Sequence, residues 1–158
     1  HLRQALVDPM IRAQGGFCVA SNLAPARCAQ LVAAGRGGDV GGARRLHEAL
    51  TPLFGLVSVT AEEPMILGAE TVAVPQRSRN PVPLKTALEL LGAPGGGCRA
   101  PLAALGENGR AHVASLLADV ESRDPQLFAP LREAFGLARP EAAAAAPAPR
   151  EELLGRMP

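Results

Sequence analysis

The amino-acid sequence predicts a mainly α-helical fold with one buried β-strand and one β-hairpin. Three observations support this prediction. Four segments repeat apolar residues at helical spacing, one short apolar run is bounded by glycines, and one stretch alternates β-branched residues. The chain has 158 residues, 47% of them apolar, so it is long enough to bury one sizeable core.

The first predicted element is a buried strand over residues 15–22, an apolar run that lies between glycines and the turn-forming Asn22. A helix is expected directly after it, because Pro25 suits a first helical turn and Gly35 suits a helix end. The apolar face of that helix is Cys28, Leu31 and Val32.

A glycine-rich connection then leads to a second helix, which Asp39 is placed to cap. This helix is amphipathic and must pack on a neighbour. Its apolar face is Leu46, Leu50, Leu53 and Phe54. From Gly55 to Arg79 the period changes to alternating β-branched residues interrupted by Gly68, which predicts a hairpin or an irregular excursion.

Asn80 and Pro81 follow the cap-then-proline rule, so a third helix is predicted to begin there and to end at Gly92. A fourth helix is predicted from about Glu107 to Val120. A short helix is expected near residues 127–135. The Ala/Pro-rich segment from Arg139 to Pro158 has the composition of a flexible tail.

Composition excludes several classes of protein. Sixteen basic and fifteen acidic residues are scattered, and the chain has no Trp or Tyr, so neither a nucleic-acid-binding surface nor an anionic-membrane surface is indicated. No apolar stretch approaches the ~20 residues that span a bilayer. Three irregularly spaced cysteines indicate a reduced, cytoplasmic setting. A complete (β/α)8 barrel takes roughly 250 residues, so the chain is too short to form one.

Local motifs for chemistry are weak. The glycines at 35–42 resemble a phosphate loop, but they lack the Gly-Lys-Ser/Thr sequence and follow a helix, so a helix connection is favoured. A metal site would need ligands from distant parts of the chain, because no two candidate ligands lie close together in the sequence. The cysteines are better explained as core residues. Those ligands would be Cys18, Cys28, Cys98, His47 and His112. His47 is expected at a surface or interface. We expect no metal, no cofactor and no catalytic constellation.

Two segments nevertheless resemble a known family in their sequence and their order. Gly15–Pro25 (GGFCVASNLAP) is similar to the last barrel strand of the dihydrodipicolinate synthase/N-acetylneuraminate lyase family, and Asn80–Gly92 (NPVPLKTALELLG) to its N-P-x-P-x-K helix start. Three segments between them resemble its C-terminal helices, at 31–35, 43–48 and 50–53. The segment 96–102 is most similar to the branch with 4-hydroxy-2-oxoglutarate aldolase. The resemblance covers about residues 5–120.

The resemblance implies the C-terminal fragment of an α/β (β/α)8 TIM barrel with a C-terminal helical extension. Residues 1–35 would be the last strand and helix of the barrel, residues 36–120 the helical region with an insertion at 55–79, and residues 121–158 an extension and tail. Family members act on pyruvate or another 2-keto acid through a Schiff base on a lysine, with a tyrosine that handles protons, and they form homo-oligomers.

The family's catalytic residues cannot be carried over to this chain. Tyrosine is absent, and the sole lysine, Lys85, aligns with the helix-start motif. What carries over is part of the pyruvate pocket, to which the family contributes a backbone carbonyl at the position of Phe17; Val19 and Ser21 would line or support it. A structural role in a buried strand is the alternative for each side chain.

Two functional hypotheses follow. The first is the C-terminal portion of a pyruvate-dependent class I aldolase or lyase, inactive by itself because the segments with the catalytic lysine and tyrosine are absent. The second is a non-enzymatic helical module for interaction or oligomerisation, whose apolar faces bury against a partner or another copy.

Overall fold

The structure, a computed structural model, describes residues 13–137. A 3₁₀ turn, Val19–Asn22, precedes the helices and the hairpin. The α-helices of the described region are α1 (Pro25–Arg36), α2 (Val40–Gly55), α3 (Val82–Leu90), α4 (Glu107–Arg123) and α5 (Ala129–Phe135). Strands β1 (Ser58–Leu67) and β2 (Glu70–Arg79) form the hairpin between α2 and α3. The predicted tail from Arg139 lies outside the described residues.

The buried strand predicted over residues 15–22 is wrong. Residues 13–18 have no regular secondary structure, and the side chain of Phe17 is fully exposed, at 112% of its reference area. A strand needs a neighbour to pair its backbone, and within residues 13–137 the two strands pair only with each other. Residues 14–17 are instead exposed to solvent, and the segment ends in a local contact in which the Ser21 N–H donates to the Cys18 carbonyl at 3.2 Å.

The helix predictions are largely confirmed. α1 begins at Pro25, and the Asp39 carboxylate caps α2 by accepting a hydrogen bond from the Gly42 N–H at 2.8 Å. α4 begins at Glu107 as predicted and continues to Arg123, three residues beyond the predicted end. α5 occupies most of the predicted 127–135 segment.

The predicted start of α3 needs a correction. Asn80 does not cap α3, because the first helical residue is Val82 and Pro81 occupies the N-cap position. The Asn80–Pro81 peptide bond is cis, and no side chain makes a capping hydrogen bond. Pro81 and Pro83 have no N–H to donate, so the helix start has fewer unpaired donors than usual and less need of a cap.

The predicted hairpin is confirmed and is regular over its whole length. Ten residues of β1 pair with ten of β2 in antiparallel register, from Ser58 opposite Arg79 to Leu67 opposite Glu70. A two-residue connection joins the strands, and its first residue, Gly68, has φ +65°, a conformation that favours glycine. Burial alternates over residues 59–63 of β1 and 72–79 of β2, so there one face of the ribbon packs on the protein and the other faces solvent, whereas residues 64–67 and 70–71 at the tip are exposed on both faces.

The inner face of the hairpin supplies the cap that α4 lacks. Gly106 at the start of α4 has no capping side chain, and the Glu63 carboxylate accepts hydrogen bonds from the backbone N–H of Asn108 (3.2 Å) and Gly109 (2.7 Å). Gln76 of β2 accepts from the Gly106 N–H at 3.0 Å. A Cβ at Gly106 would collide with the Glu63 carboxylate, so only glycine permits this approach. The predicted insertion is thus an integral part of the fold.

A single core joins the elements. α1 packs on α2, α4 contacts α3 and β1, and α5 lies against α1. The largest fully buried side chains are Leu23, Leu31, Leu50, Leu53, Leu56, Val113 and Phe128. Two bidentate ion pairs tie the end of the described chain to this core: Arg27 with Asp124, and the buried Arg132 with Glu121 at 2.6 and 3.0 Å. None of the described helices has the length and apolar character needed to cross a bilayer.

Candidate functional site

The segment that the resemblance places at a substrate pocket is anchored by small and apolar residues. Ala20, Leu23 and Ala24 are buried, and the amides of Leu23 and Ala24 donate to the Ala20 carbonyl at 3.0 and 2.9 Å. Asn22 closes the turn through its side-chain amide, which donates to the Val19 carbonyl at 3.0 Å. The 3₁₀ turn is therefore fixed to the core.

This turn forms one wall of an apolar hollow with a volume of about 370 Å³. The opposite wall comes from the middle and the end of α2, at His47 and Phe54, and from Val57 after it. The rings of His47 and Phe54 lie 5.3 Å apart between centroids, tilted by 35°. The residues around the hollow are Phe17, Cys18, Val19, Ala20, His47, Phe54 and Val57. We call this feature the Phe17 hollow.

Two of the three predicted pocket residues meet at the Phe17 hollow. Phe17 and Val19 line it, whereas Ser21 does not, because its hydroxyl donates to the Cys18 carbonyl at 2.5 Å and is held within the turn. His47, expected at a surface or interface, lies half-buried on the wall. Sequence reasoning did not place His47 and Phe54 in the pocket, although their i, i+7 spacing puts both on one helix face.

The two cysteines near the hollow behave as the sequence suggests for core residues. Cys28 is buried in α1, and burial, with a further contribution from the neighbouring Cys18 side chain, raises the pKa of its thiol to about 11. Cys28 is therefore protonated at neutral pH and is a poor nucleophile. Within residues 13–137, no three His, Cys, Asp or Glu side chains converge as a metal site.

Lys85 lies away from the hollow, near the start of α3. Its ammonium group donates a hydrogen bond to the Gly97 carbonyl at 2.9 Å, and its own backbone N–H donates to the Pro81 carbonyl at 2.9 Å. The backbone at Gly95 passes so close to the Lys85 carbonyl that a Cβ there would clash with it. Lys85 thus holds the glycine-rich loop between α3 and α4 against its helix.

Comparison with known proteins places this geometry in context. A sequence model of the dihydrodipicolinate synthetase family matches residues 6–120. The chain is 36% identical over 121 residues to 4-hydroxy-tetrahydrodipicolinate synthase of Thermomicrobium roseum, an alignment that covers 77% of this chain and 34% of the relative. The synthase of Methanosarcina barkeri is 36% identical over 104 residues, covering 66% and 30%.

Solved structures agree with the sequence comparison. The crystal structure of a dihydrodipicolinate synthase superposes with a TM-score of 0.56 and 27% identity, covering 75% of this chain and 35% of that one. A monomeric dihydrodipicolinate synthase variant gives a TM-score of 0.52 and 25% identity, covering 78% and 34%. This chain therefore spans about a third of the length of the curated relatives it matches. These relatives are named as synthases, so the assignment to the 4-hydroxy-2-oxoglutarate aldolase branch stays a prediction.

Proposed function

Because the chain belongs to the dihydrodipicolinate synthetase family, we propose that it is the C-terminal portion of a pyruvate-dependent aldolase or synthase and is inactive by itself. The observation that carries the proposal is the partial match, in which residues 6–120 correspond to about a third of full-length relatives. In the proposed reaction, a neutral lysine amine adds to the keto carbon of pyruvate, the C–O bond then breaks with loss of water, and the resulting iminium withdraws electrons.

The residues of this chain support inactivity. The chain has no tyrosine, and its single lysine bonds to a loop carbonyl and does not line the Phe17 hollow. We propose that Phe17 and Val19 contribute one wall of the keto-acid pocket, which the remaining barrel strands would complete with the lysine and tyrosine. Ser21 then supports the wall by holding the turn. The proposed location is cytoplasmic, consistent with three cysteines that are all free thiols.

Trapping with pyruvate and borohydride tests this proposal. The 158-residue chain should form no reduced adduct, while a form extended upstream to the length of the relatives should trap pyruvate on a lysine outside this sequence. Lys85→Arg in the longer form is the matched control and should leave the trapping unchanged. A stable adduct on Lys85 in the short chain would refute the inactivity.

A second candidate function is a non-enzymatic module for oligomerisation, with another copy of the chain as its partner. It is favoured by exposed apolar side chains at two places: Phe17 beside the hollow, and Ile66 at the tip of the hairpin, which is 77% exposed. Sedimentation should then show association that Phe17→Ser weakens. A monomer with a sharp calorimetric transition would contradict this second function, and genomic sequence immediately upstream of His1 would separate the two candidates.

A further inference from the structure

Two of the three cysteines lie together where the 3₁₀ turn meets α1. Cys18 occupies the N-cap position of the turn, and Cys28 lies in the first turn of α1. The turn packs against this helix, Cys28 belongs to the core, and Cys18 packs against that core. The Cys28 thiol lies within hydrogen-bonding reach of the Cys18 thiol. No step of the proposed aldolase chemistry uses either sulfur.

The two thiols differ in their access to solvent. Cys18 is half-buried and lines the Phe17 hollow, so a small molecule in the hollow meets this residue. Cys28 is only 6% exposed, so a reagent from solution reaches its sulfur poorly. Cys98, in the glycine-rich loop between α3 and α4, is half-buried like Cys18 and provides an internal comparison. A reagent therefore meets this pair first at Cys18.

We propose that Cys18 and Cys28 form a reversible disulfide by exchange with a low-molecular-weight disulfide. The Cys18 thiolate attacks one sulfur of the small disulfide, a mixed disulfide forms, and the first small thiolate leaves and takes up the proton that Cys18 lost. Cys28 then loses its proton, its sulfur attacks the Cys18 Sγ, and the second small thiolate leaves and takes up that proton. The two cysteines are oxidised by two electrons, and the small disulfide is reduced to two thiols.

The order of these two steps follows from the surroundings of each sulfur. Burial raises the pKa of the Cys28 thiol to about 11, so an external disulfide finds little thiolate there. The attack of Cys28 on Cys18 is different, because the two sulfurs are already side by side in the fold. Formation of the mixed disulfide also removes the negative charge that Cys18 can carry, and this charge contributes to the raised pKa of Cys28. Cys18 therefore reacts first and Cys28 resolves the mixed disulfide.

The disulfide joins the wall of the Phe17 hollow to α1. Phe17 directly precedes Cys18, its side chain is fully exposed, and residues 13–18 have no regular secondary structure. A covalent link at Cys18 ties the end of this segment to the core helix and reduces the freedom of the unfolded chain. The oxidised chain should therefore have a higher Tm than the reduced chain.

Oxidised glutathione is the probe for the test, added to the 158-residue chain. Trypsin cuts after Arg12, Arg27 and Arg36, so the disulfide should join the peptide of residues 13–27 to that of residues 28–36. Mass spectrometry should find these two peptides linked without bound glutathione, and dithiothreitol should separate them. The helical circular dichroism of the chain should be unchanged by oxidation, since the link forms within the fold.

Two variants define the roles of the sulfurs. Cys28→Ala should stop the reaction at a glutathione adduct on Cys18, because the resolving thiol is lost. Cys98→Ser is the matched control, since it removes the third thiol, and it should leave the yield of the linked peptides unchanged. A glutathione adduct that persists on Cys18 in the unsubstituted chain, a link that involves Cys98, or loss of helical signal on oxidation would each overturn the proposal.

Discussion

Removing the Glu63 carboxylate should destabilise a helix that lies more than forty residues away in sequence. In Glu63→Ala, the first turn of α4 loses its acceptor for two backbone N–H groups, those of Asn108 and Gly109. No side chain at the N-cap position of α4 can replace it. The hairpin should stay formed, because its ladder does not involve this carboxylate.

The expected loss follows from the two contacts. A helix N-cap acceptor contributes typically about 1 kcal/mol. The negative charge beside the positive end of the helix dipole adds about 0.3–1 kcal/mol. With a second N–H left unpaired in a partly buried position, Glu63→Ala should lower the free energy of unfolding by about 2 kcal/mol. Glu63→Gln keeps one oxygen acceptor and should cost about half as much.

Urea unfolding followed by circular dichroism measures these differences. The matched control is Glu62→Ala, since Glu62 precedes Glu63 in β1 but points to the solvent-exposed face of the ribbon and contributes only its backbone carbonyl to α4. This variant should change stability by less than about 0.5 kcal/mol. If the Glu62 and Glu63 variants lost equal stability, Glu63 would not be the cap of α4.

Two further predictions concern titrating groups. The hydrogen bond from Arg27 lowers the pKa of the Asp124 carboxyl, so this pair stabilises the fold above the unfolded-state pKa and is lost as pH falls through the folded-state value. Asp124→Asn should therefore cost about 1 kcal/mol at neutral pH in urea unfolding and much less in acid, once the pH has fallen below the folded-state pKa of Asp124; an equal cost at both pH values would contradict this. Since the thiol pKa of Cys28 is about 11, iodoacetamide at pH 8 should alkylate Cys98 long before Cys28, as peptide mass spectrometry would show. Equal alkylation rates would contradict the burial of the Cys28 thiol.

The helices and the hairpin could be predicted because their signals are local. Apolar residues at i, i+3 and i+4 define a helix face from a few turns of sequence, and alternation around Gly68 defines a ribbon. The prediction of a strand at residues 15–22 was wrong because strand formation is not decided by local sequence alone. Its composition suits a strand, but forming one depends on neighbouring strands, which this stretch of chain does not supply.

The contacts that join distant parts of the chain left no local signal. Glu63 and Gly109 are 46 residues apart, and Arg27 and Asp124 are 97 apart, so no motif or spacing pairs them. At the Phe17 hollow, the family resemblance predicted Phe17 and Val19 as lining residues. The residues of the facing wall could not be predicted, because they depend on how α2 packs against the turn. Only the shared helix face of His47 and Phe54 was accessible from sequence.

The register of the hairpin has a consequence for how the chain behaves at high concentration. Each strand carries one proline: Pro64 lies opposite Ala73, and Pro75 lies opposite Glu62. These two residue pairs are separated by one pair, and hydrogen-bonded and non-hydrogen-bonded pairs alternate along an antiparallel ladder, so both prolines belong to pairs of the same type. Since proline has no N–H, these are positions where the amide would point outward, away from the partner strand. Each edge thus lacks one donor near its middle, so an incoming strand would lose a ladder hydrogen bond there, which disfavours growth of an intermolecular sheet from the hairpin.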